Sequence, residues 1–184
     1  PDEKHLREMI AQLDKLHQDA LDLETKFRPA ITQAHPSFRK SARNLLHYLS
    51  LRQHDIRKLQ ESLAGLGLSS LGRAEGHVLA SLQAVHDMLC HLLDCTPIKK
   101  QMAVSFTESG ALLNNHTNEL LGTAPEKRNT RIIVTFSTDL AYDHELVKRM
   151  LLAGMDCARI NCAHDSEKVW SSMVQSIKKA EQET

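Results

Sequence analysis

Arg159 and Asn161 are of types that can hold an anion and a cation side by side. If Asp156 to Cys162 is a strand, side chains alternate between its faces, so Arg159, Asn161 and Ala163 point one way. Ala158, Ile160 and Cys162 point the other way, an apolar set that should meet helices. A guanidinium suits a phosphate or carboxylate through its planar fork. An amide carbonyl oxygen can bind a hard cation. Near the carboxyl end of a parallel strand, such a pair stands where α/β enzymes take their ligands. An arginine in a strand can equally be paired structurally.

Other chemistry-bearing residues are less well grouped. Cys90 and Cys95 are separated by four residues, as are Cys157 and Cys162, and neither pair has the two-residue spacing favoured by zinc and redox sites. His86 and Cys90 share a helix face at i, i+4, with His91 and Cys95 nearby, but on diverging faces. Ordinary buried thiols in a reducing compartment are the expectation. The eleven histidines are expected on polar, solvated faces. The stretch LGLSSLGRAEG, with Gly65, Gly67 and Gly72, could cradle a phosphate beside Arg73. It matches no phosphate-loop spacing, and glycine-rich turns between helices are commonplace, so it is read as a turn.

The elements that must position Arg159 and Asn161 begin with a change of period near residue 130. Before it, spacing predicts helices. Leu6, Met9, Leu13, Leu16, Ala20, Leu23 and Phe27 form a heptad seam closed by Arg28-Pro29. A second helix is expected from Pro36-Ser37, with Ser37 as its cap, along Ala42, Leu45, Leu49, Arg52, Ile56, Leu59, Leu63 and Leu66. Arg52 should pack its stem and keep its head in water. A third helix carries Val78, Leu82, Val85, Leu89 and Leu92 until Thr96-Pro97, and a shorter fourth runs from Thr107 to Leu121 before Gly122. These suffice for an antiparallel bundle, and the same seams could pair with a second copy.

After the polar segment 123–130, Arg131 to Phe136 reads as a strand buried on both faces. Asp143 should cap a helix through Leu146, Val147, Met150 and Leu151 that ends at Gly154. A second strand follows at Asp156 to Cys162. Asp165 or Ser166 then caps a last helix with Val169, Trp170, Met173, Val174 and Ile177 inward. The expected fold is mainly α. A helical bundle over 1–122 and a linker over 123–130 precede a βαβα fragment over 131–184, which has the size of the first two units of a TIM (β/α)8 barrel, about 27 residues each against about 31. Two units cannot close a barrel, so the sequence is expected to be a portion of a longer protein.

Composition narrows the function classes. With 23 basic and 23 acidic residues, the formal net charge is zero, so no basic surplus exists to bind nucleic acid. No apolar run approaches a membrane span and the charged start is no signal peptide, so a cytoplasmic protein without a membrane partner is expected.

Residues 130–165 resemble the opening of the pyruvate kinase barrel. That family has a TKI-type strand, a leucine- and methionine-bearing helix, a Gly-Met/Val turn and an ARLNFSHG strand. Here these are Thr130-Arg131-Ile132, Leu146 to Gly154-Met155, and Ala158-Arg159-Ile160-Asn161-Cys162-Ala163-His164-Asp165. The resemblance implies that Arg159 contacts the transferred phosphoryl group, that Asn161 serves potassium and nucleotide, and that His164 lies beside the nucleotide. It further implies phosphoenolpyruvate, pyruvate and a nucleoside diphosphate as partners, with magnesium and potassium as cofactors.

Three departures bear on this. Ala163 replaces a serine whose hydroxyl helps hold potassium, which weakens that site. Ser137-Thr138 stand in place of Gly-Pro, and Asp165 in place of a final glycine, putting an anion near a phosphate. The family's enolate-stabilising lysine, acidic magnesium-binding pair and later threonine have no counterpart, so this chain alone should be catalytically incomplete. Two other functions fit the same residues: a metal-dependent lyase or aldolase on a related oxo-acid, and a non-catalytic helical assembly or regulatory module. A homo-oligomer could form through the helical seams or by exchange of βα segments.

Overall fold

The computed structural model describes residues 2–97, 102–126, 128 and 130–184; Lys127 and Asn129 of the expected linker lie outside them. The protein is mainly helical, and among the described residues its strands form one two-stranded parallel sheet. It divides into two compact units, Pro1–Leu113 and Asn114–Thr184.

In the first unit, α1 (Glu3–Lys26) starts where the Asp2 carboxylate accepts the His5 N–H at 2.8 Å, satisfying one of the free amides of the first turn. Its seam buries Leu6, Met9, Leu13, Leu16 and Ala20 against α3 (Arg39–Leu51) and α5 (Val78–Leu92). Leu23 is half-buried and Phe27 exposed, so the seam ends a turn early. Arg28-Pro29 breaks the helix as expected, but the chain re-enters helix at once. Proline fits the first turn of α2 (Arg28–Gln33), where it forfeits no hydrogen bond.

The second expected helix is two. α3 ends at Leu51, and α4 (Arg57–Gly65) begins after a turn closed by Gln53 N–H to Ser50 O and His54 N–H to Leu51 O. Ser37 lies in a 3-10 turn, Pro36–Phe38, and its hydroxyl meets His35 Nδ1 at 2.6 Å instead of capping. The inward face of α3 also differs from the expected stripe. Leu45 and Leu49 are exposed, whereas Asn44, His47 and Ser50 are buried. Leu59 and Leu63 of α4 do reach the core, and Arg52 is exposed. The buried positions of α5 fit its seam except Leu92, which is exposed. The start of α6 (Phe106–Leu121) meets the loop before α5: the rings of Phe106 and His77 lie 4.8 Å apart, and Lys40 pairs with Glu108.

The second unit runs β1 (Ile133–Thr135), α7 (His144–Leu152), β2 (Cys157–Arg159), α8 (Glu167–Gln182). The strands pair in parallel, Ile133 with Cys157 and Thr135 with Arg159. Both are shorter than expected, and β1 is not buried on both faces. Val134, Phe136, Ala158 and Ile160 pack into the core with α7 and α8, whereas Ile132 and Ile133 are exposed. Asp143 Oδ1 caps α7 by accepting the Leu146 N–H at 2.9 Å, and Gly154, at φ +101°, ends it. Ser166 occupies the N-cap of α8 without a side-chain hydrogen bond. That helix buries Met173, Ser176 and Ala180; Val169 and Ile177 pack partly, and Val174 is exposed.

Candidate functional site

The residues at the carboxyl end of β2 stand on an open sheet face. Alternation sends Ala158 and Ile160 to the helices and leaves Arg159 exposed on the other side. Phe136 N–H donates to Arg159 O at 2.9 Å, extending the strand pairing by one bond. Because the register sets Thr135 opposite Arg159, the guanidinium Nη1 reaches the Thr135 hydroxyl at 3.3 Å. One weak neutral contact leaves most of the fork's donors available to an anion.

Past Arg159 the chain folds into a tight turn instead of continuing the strand to Cys162. Asn161 Oδ1 accepts the Ala163 N–H at 3.3 Å, an Asx turn, and Asn161 O accepts the His164 N–H at 3.2 Å. The Asn161 oxygen expected for a cation therefore has one lone pair already engaged and a second free by geometry. His164 is exposed, and its backbone carbonyl accepts the half-buried Trp170 indole N–H at 2.7 Å, tying the turn to α8. Asp165 sits in the left-handed region at φ +66°, a position where glycine is at ease, and its Oδ1 accepts the Thr138 hydroxyl at 2.8 Å. Two of the residues that depart from the resembled pattern, Thr138 and Asp165, thus bond to each other.

Arg159, Asn161 and His164 lie within six positions on one strand end and its turn, but no contact joins their three side chains among the described residues. Magnesium demands near-octahedral oxygen coordination. At this strand end the chain offers Asn161 Oδ1 and Asp165, and Ala163 adds no hydroxyl. Among the described residues of the unit, the group that gathers three ligand atoms is elsewhere, at His144, Glu145 and Glu183. Glu183 there is taken by Lys148 at 3.1 Å.

The first unit holds polar groups that the sequence reading placed in solvent. His17, His47 and His86 are buried. His47 Nε2 meets Glu24 Oε2 at 2.6 Å, and Arg43 Nε donates to Glu24 Oε1 at 2.7 Å. Burial raises the Glu24 carboxyl, but the hydrogen bonds and charges of Arg43 and His47 prevail and hold it below its ordinary value. Burial lowers the His47 imidazole despite Glu24. Asn44 bridges α3 to α5: its amide donates to Glu75 O at 2.6 Å and its oxygen accepts the Val78 N–H at 2.9 Å. The glycine-rich loop behaves as a turn. The Gly67 and Leu68 amides bond to Ala64 O and Leu63 O, so those two donors are unavailable to a phosphate. With Tyr48, Arg52, His54 and Gln60, the loop residues Leu71, Gly72, Ala74 and Glu75 wall a cavity of ≈ 290 Å³.

The thiols also depart from expectation, since only Cys90 is buried. Cys95 and Cys157 are half-buried and Cys162 is exposed. Burial first, then Cys95 and the carboxylates of Asp87 and Asp14, push the Cys90 thiol up to about 11. An i, i+4 His-Cys pair on a leucine-rich helix face was the available signal for this buried cluster.

No family model, curated protein or solved structure matches the chain. Among the described residues, no helix is long and apolar enough to cross a membrane.

Proposed function

We propose that the chain is the amino-terminal part of a pyruvate-kinase-like enzyme, which moves the phosphoryl group of phosphoenolpyruvate to a nucleoside diphosphate in the cytoplasm. The carrying observation is the parallel register that sets Arg159 opposite Thr135 on the open face of the sheet, with the guanidinium fork mostly unengaged. An arginine so presented can hold a moving phosphoryl group, whose equatorial charge calls for cations and aligned donors. Asn161 and His164, on the following turn, would face the nucleotide. In this reading the first two units of a (β/α)8 barrel contribute Arg159, and strands from elsewhere contribute the lysine and the acidic magnesium ligands. Magnesium, held by those acidic residues, would supply positive charge to offset that of the phosphates. Potassium would be held weakly, because Ala163 offers no hydroxyl and Asn161 Oδ1 already accepts a backbone amide. This chain by itself would not turn over.

The test is a pyruvate-release assay on the full gene product, with phosphoenolpyruvate, a nucleoside diphosphate, and magnesium with and without potassium. Arg159→Gln is expected to lower turnover by about 10²–10³, the loss typical of one electrostatic donor to a charged transition state. Pyruvate formed without nucleotide phosphorylation would replace the kinase by a lyase. Wild-type protein inactive towards every such substrate would leave the helical region as an assembly or regulatory module.

A further inference from the structure

Helix α5 ends in a Schellman motif. Cys95 N–H donates to Cys90 O at 2.9 Å, Asp94 N–H donates to His91 O at 3.3 Å, and Asp94 takes φ +50°. This motif brings the side chains of its first and last residues together, and here both are cysteines, Cys90 and Cys95. One helical turn earlier, His86 Nδ1 lies 3.8 Å from Cys90 Sγ. Sulfur about 2.3 Å and nitrogen about 2.05 Å from a tetrahedral ion stand about 3.5 Å apart, so this pair is close to ligating separation. The other ring nitrogen, His86 Nε2, meets Asp14 Oδ1 at 3.3 Å. A carboxylate on the far nitrogen is the arrangement that fixes the tautomer of a metal-bound imidazole.

We propose that this end of α5 binds a thiophilic divalent cation of the zinc type through His86 Nδ1, Cys90 Sγ and Cys95 Sγ, with Asp14 orienting the imidazole. His86 Nδ1 and Cys90 Sγ stand near ligating separation, and rotation of the Cys95 side chain, which the turn carries beside Cys90, would complete the set around the ion. Three protein ligands leave one tetrahedral position open; Asp87 Oδ1, 3.5 Å from His86 Nδ1, stands near it. The thiolates are soft and the imidazole borderline, a set that selects zinc over magnesium or calcium. Asp14 and Asp87 are carboxylates that a cation would offset, and the nearby Arg7 is itself paired to Glu3 at 2.6 Å.

The test is titration of the full chain, stripped of metal and kept reduced with a phosphine, by cobalt(II) and then zinc. One equivalent of cobalt is expected to give the intense visible bands of a four-coordinate ion and a sulfur-to-cobalt charge-transfer band, and zinc should bleach both. Cys95→Ser, at a half-buried position outside the helix, should weaken binding at least about tenfold and diminish the sulfur band. Asp14→Asn should weaken it about 10–100-fold while preserving the band shape. The double variant Cys157→Ser, Cys162→Ser should bind as wild type. Only a pale six-coordinate spectrum, an unchanged signal in Cys95→Ser, or a signal lost in the double variant overturns the proposal. So does a chain that shows no cobalt band yet closes a Cys90–Cys95 disulfide with peroxide.

Discussion

Acidification should destabilise the first unit through His47, because burial and the Glu24 contact oppose each other there and burial prevails. Glu24 Oε2 at 2.6 Å favours the imidazolium, whereas full burial and the neighbouring Arg43 disfavour it. The geometry adds a reason. In the neutral ring Nε2–H donates to Glu24, and Nδ1 has no hydrogen-bond partner among the described residues. Protonation would turn that nitrogen into a buried donor without an acceptor, which is costly. The folded imidazole therefore binds its proton less readily than the unfolded one, whose pKa is about 6.5. Stability from this group is intact above that value and falls as pH drops below it, towards the folded pKa. Glu24, also lowered on folding, adds a loss of the same sign below about pH 4.5.

One proton taken up only by the unfolded chain changes stability by about 1.4 kcal/mol per pH unit once pH lies well below 6.5. Starting from pH 7.5, the integrated loss at pH 5.5 has a ceiling of about 1.4 kcal/mol, reached only if the folded ring takes up no proton over that range. Other histidines titrate too, so the comparison is with His47→Gln, whose amide can still donate to Glu24 but carries no titrating proton. Urea unfolding followed by far-ultraviolet circular dichroism should give wild type a steeper decline, by up to that amount. Parallel curves would refute the reasoning. A wild type that gains stability on acidification would show that a charged His47–Glu24 pair outweighs burial.

Two further expectations concern single contacts. Asn44→Ala orphans the fully buried Val78 N–H, while Glu75 O, on an exposed residue, can turn to water; a loss of about 2–3 kcal/mol is expected in urea unfolding. Gly154→Ala should cost about 1–3 kcal/mol in a thermal melt, since φ +101° strains any L side chain, whereas Gly65→Ala, with open space around its Cβ in the last turn of α4, should be neutral or stabilise by about 0.5–1 kcal/mol.

The sequence reading succeeded where one physical signal acted alone. The α1 seam from Leu6 to Ala20, the Asp143 cap and the helix stops at Gly122 and Gly154 each follow from spacing, a short acceptor or a positive φ. It failed on α3 because two signals conflicted. Leu45, Leu49 and Ile56 prolong a heptad across the Arg52–Asp55 turn, whereas the buried face is polar and is held by Asn44 to Glu75 and Val78 and by His47 to Glu24. Partners that lie 23 to 34 residues away leave no trace in local periodicity. The same holds at the candidate site. Strand alternation gave the side on which Arg159 stands, but the Asx turn that diverts Asn161 is a local feature that overrides the strand pattern, and the bond between Thr138 and Asp165 spans 27 positions.

That last bond reframes the departures from the family pattern. Treated singly, Asp165 in place of glycine puts a negative charge beside a proposed phosphate, and Thr138 is a substitution without a role. Together they form one hydrogen bond that ties the loop after β1 to the turn after β2, at the ends from which Thr135 and Arg159 project. The contact takes up a carboxylate lone pair and holds the carboxylate on a backbone at φ +66°. Asp165 is thereby given a local structural reason that does not require it to meet a ligand. The open face is left with Arg159 as its cation, a half-engaged Asn161 and no hydroxyl at position 163. Such a set favours anion binding over monovalent-cation binding. In the full gene product, phosphate dependence should therefore follow Arg159 more closely than potassium dependence follows Asn161.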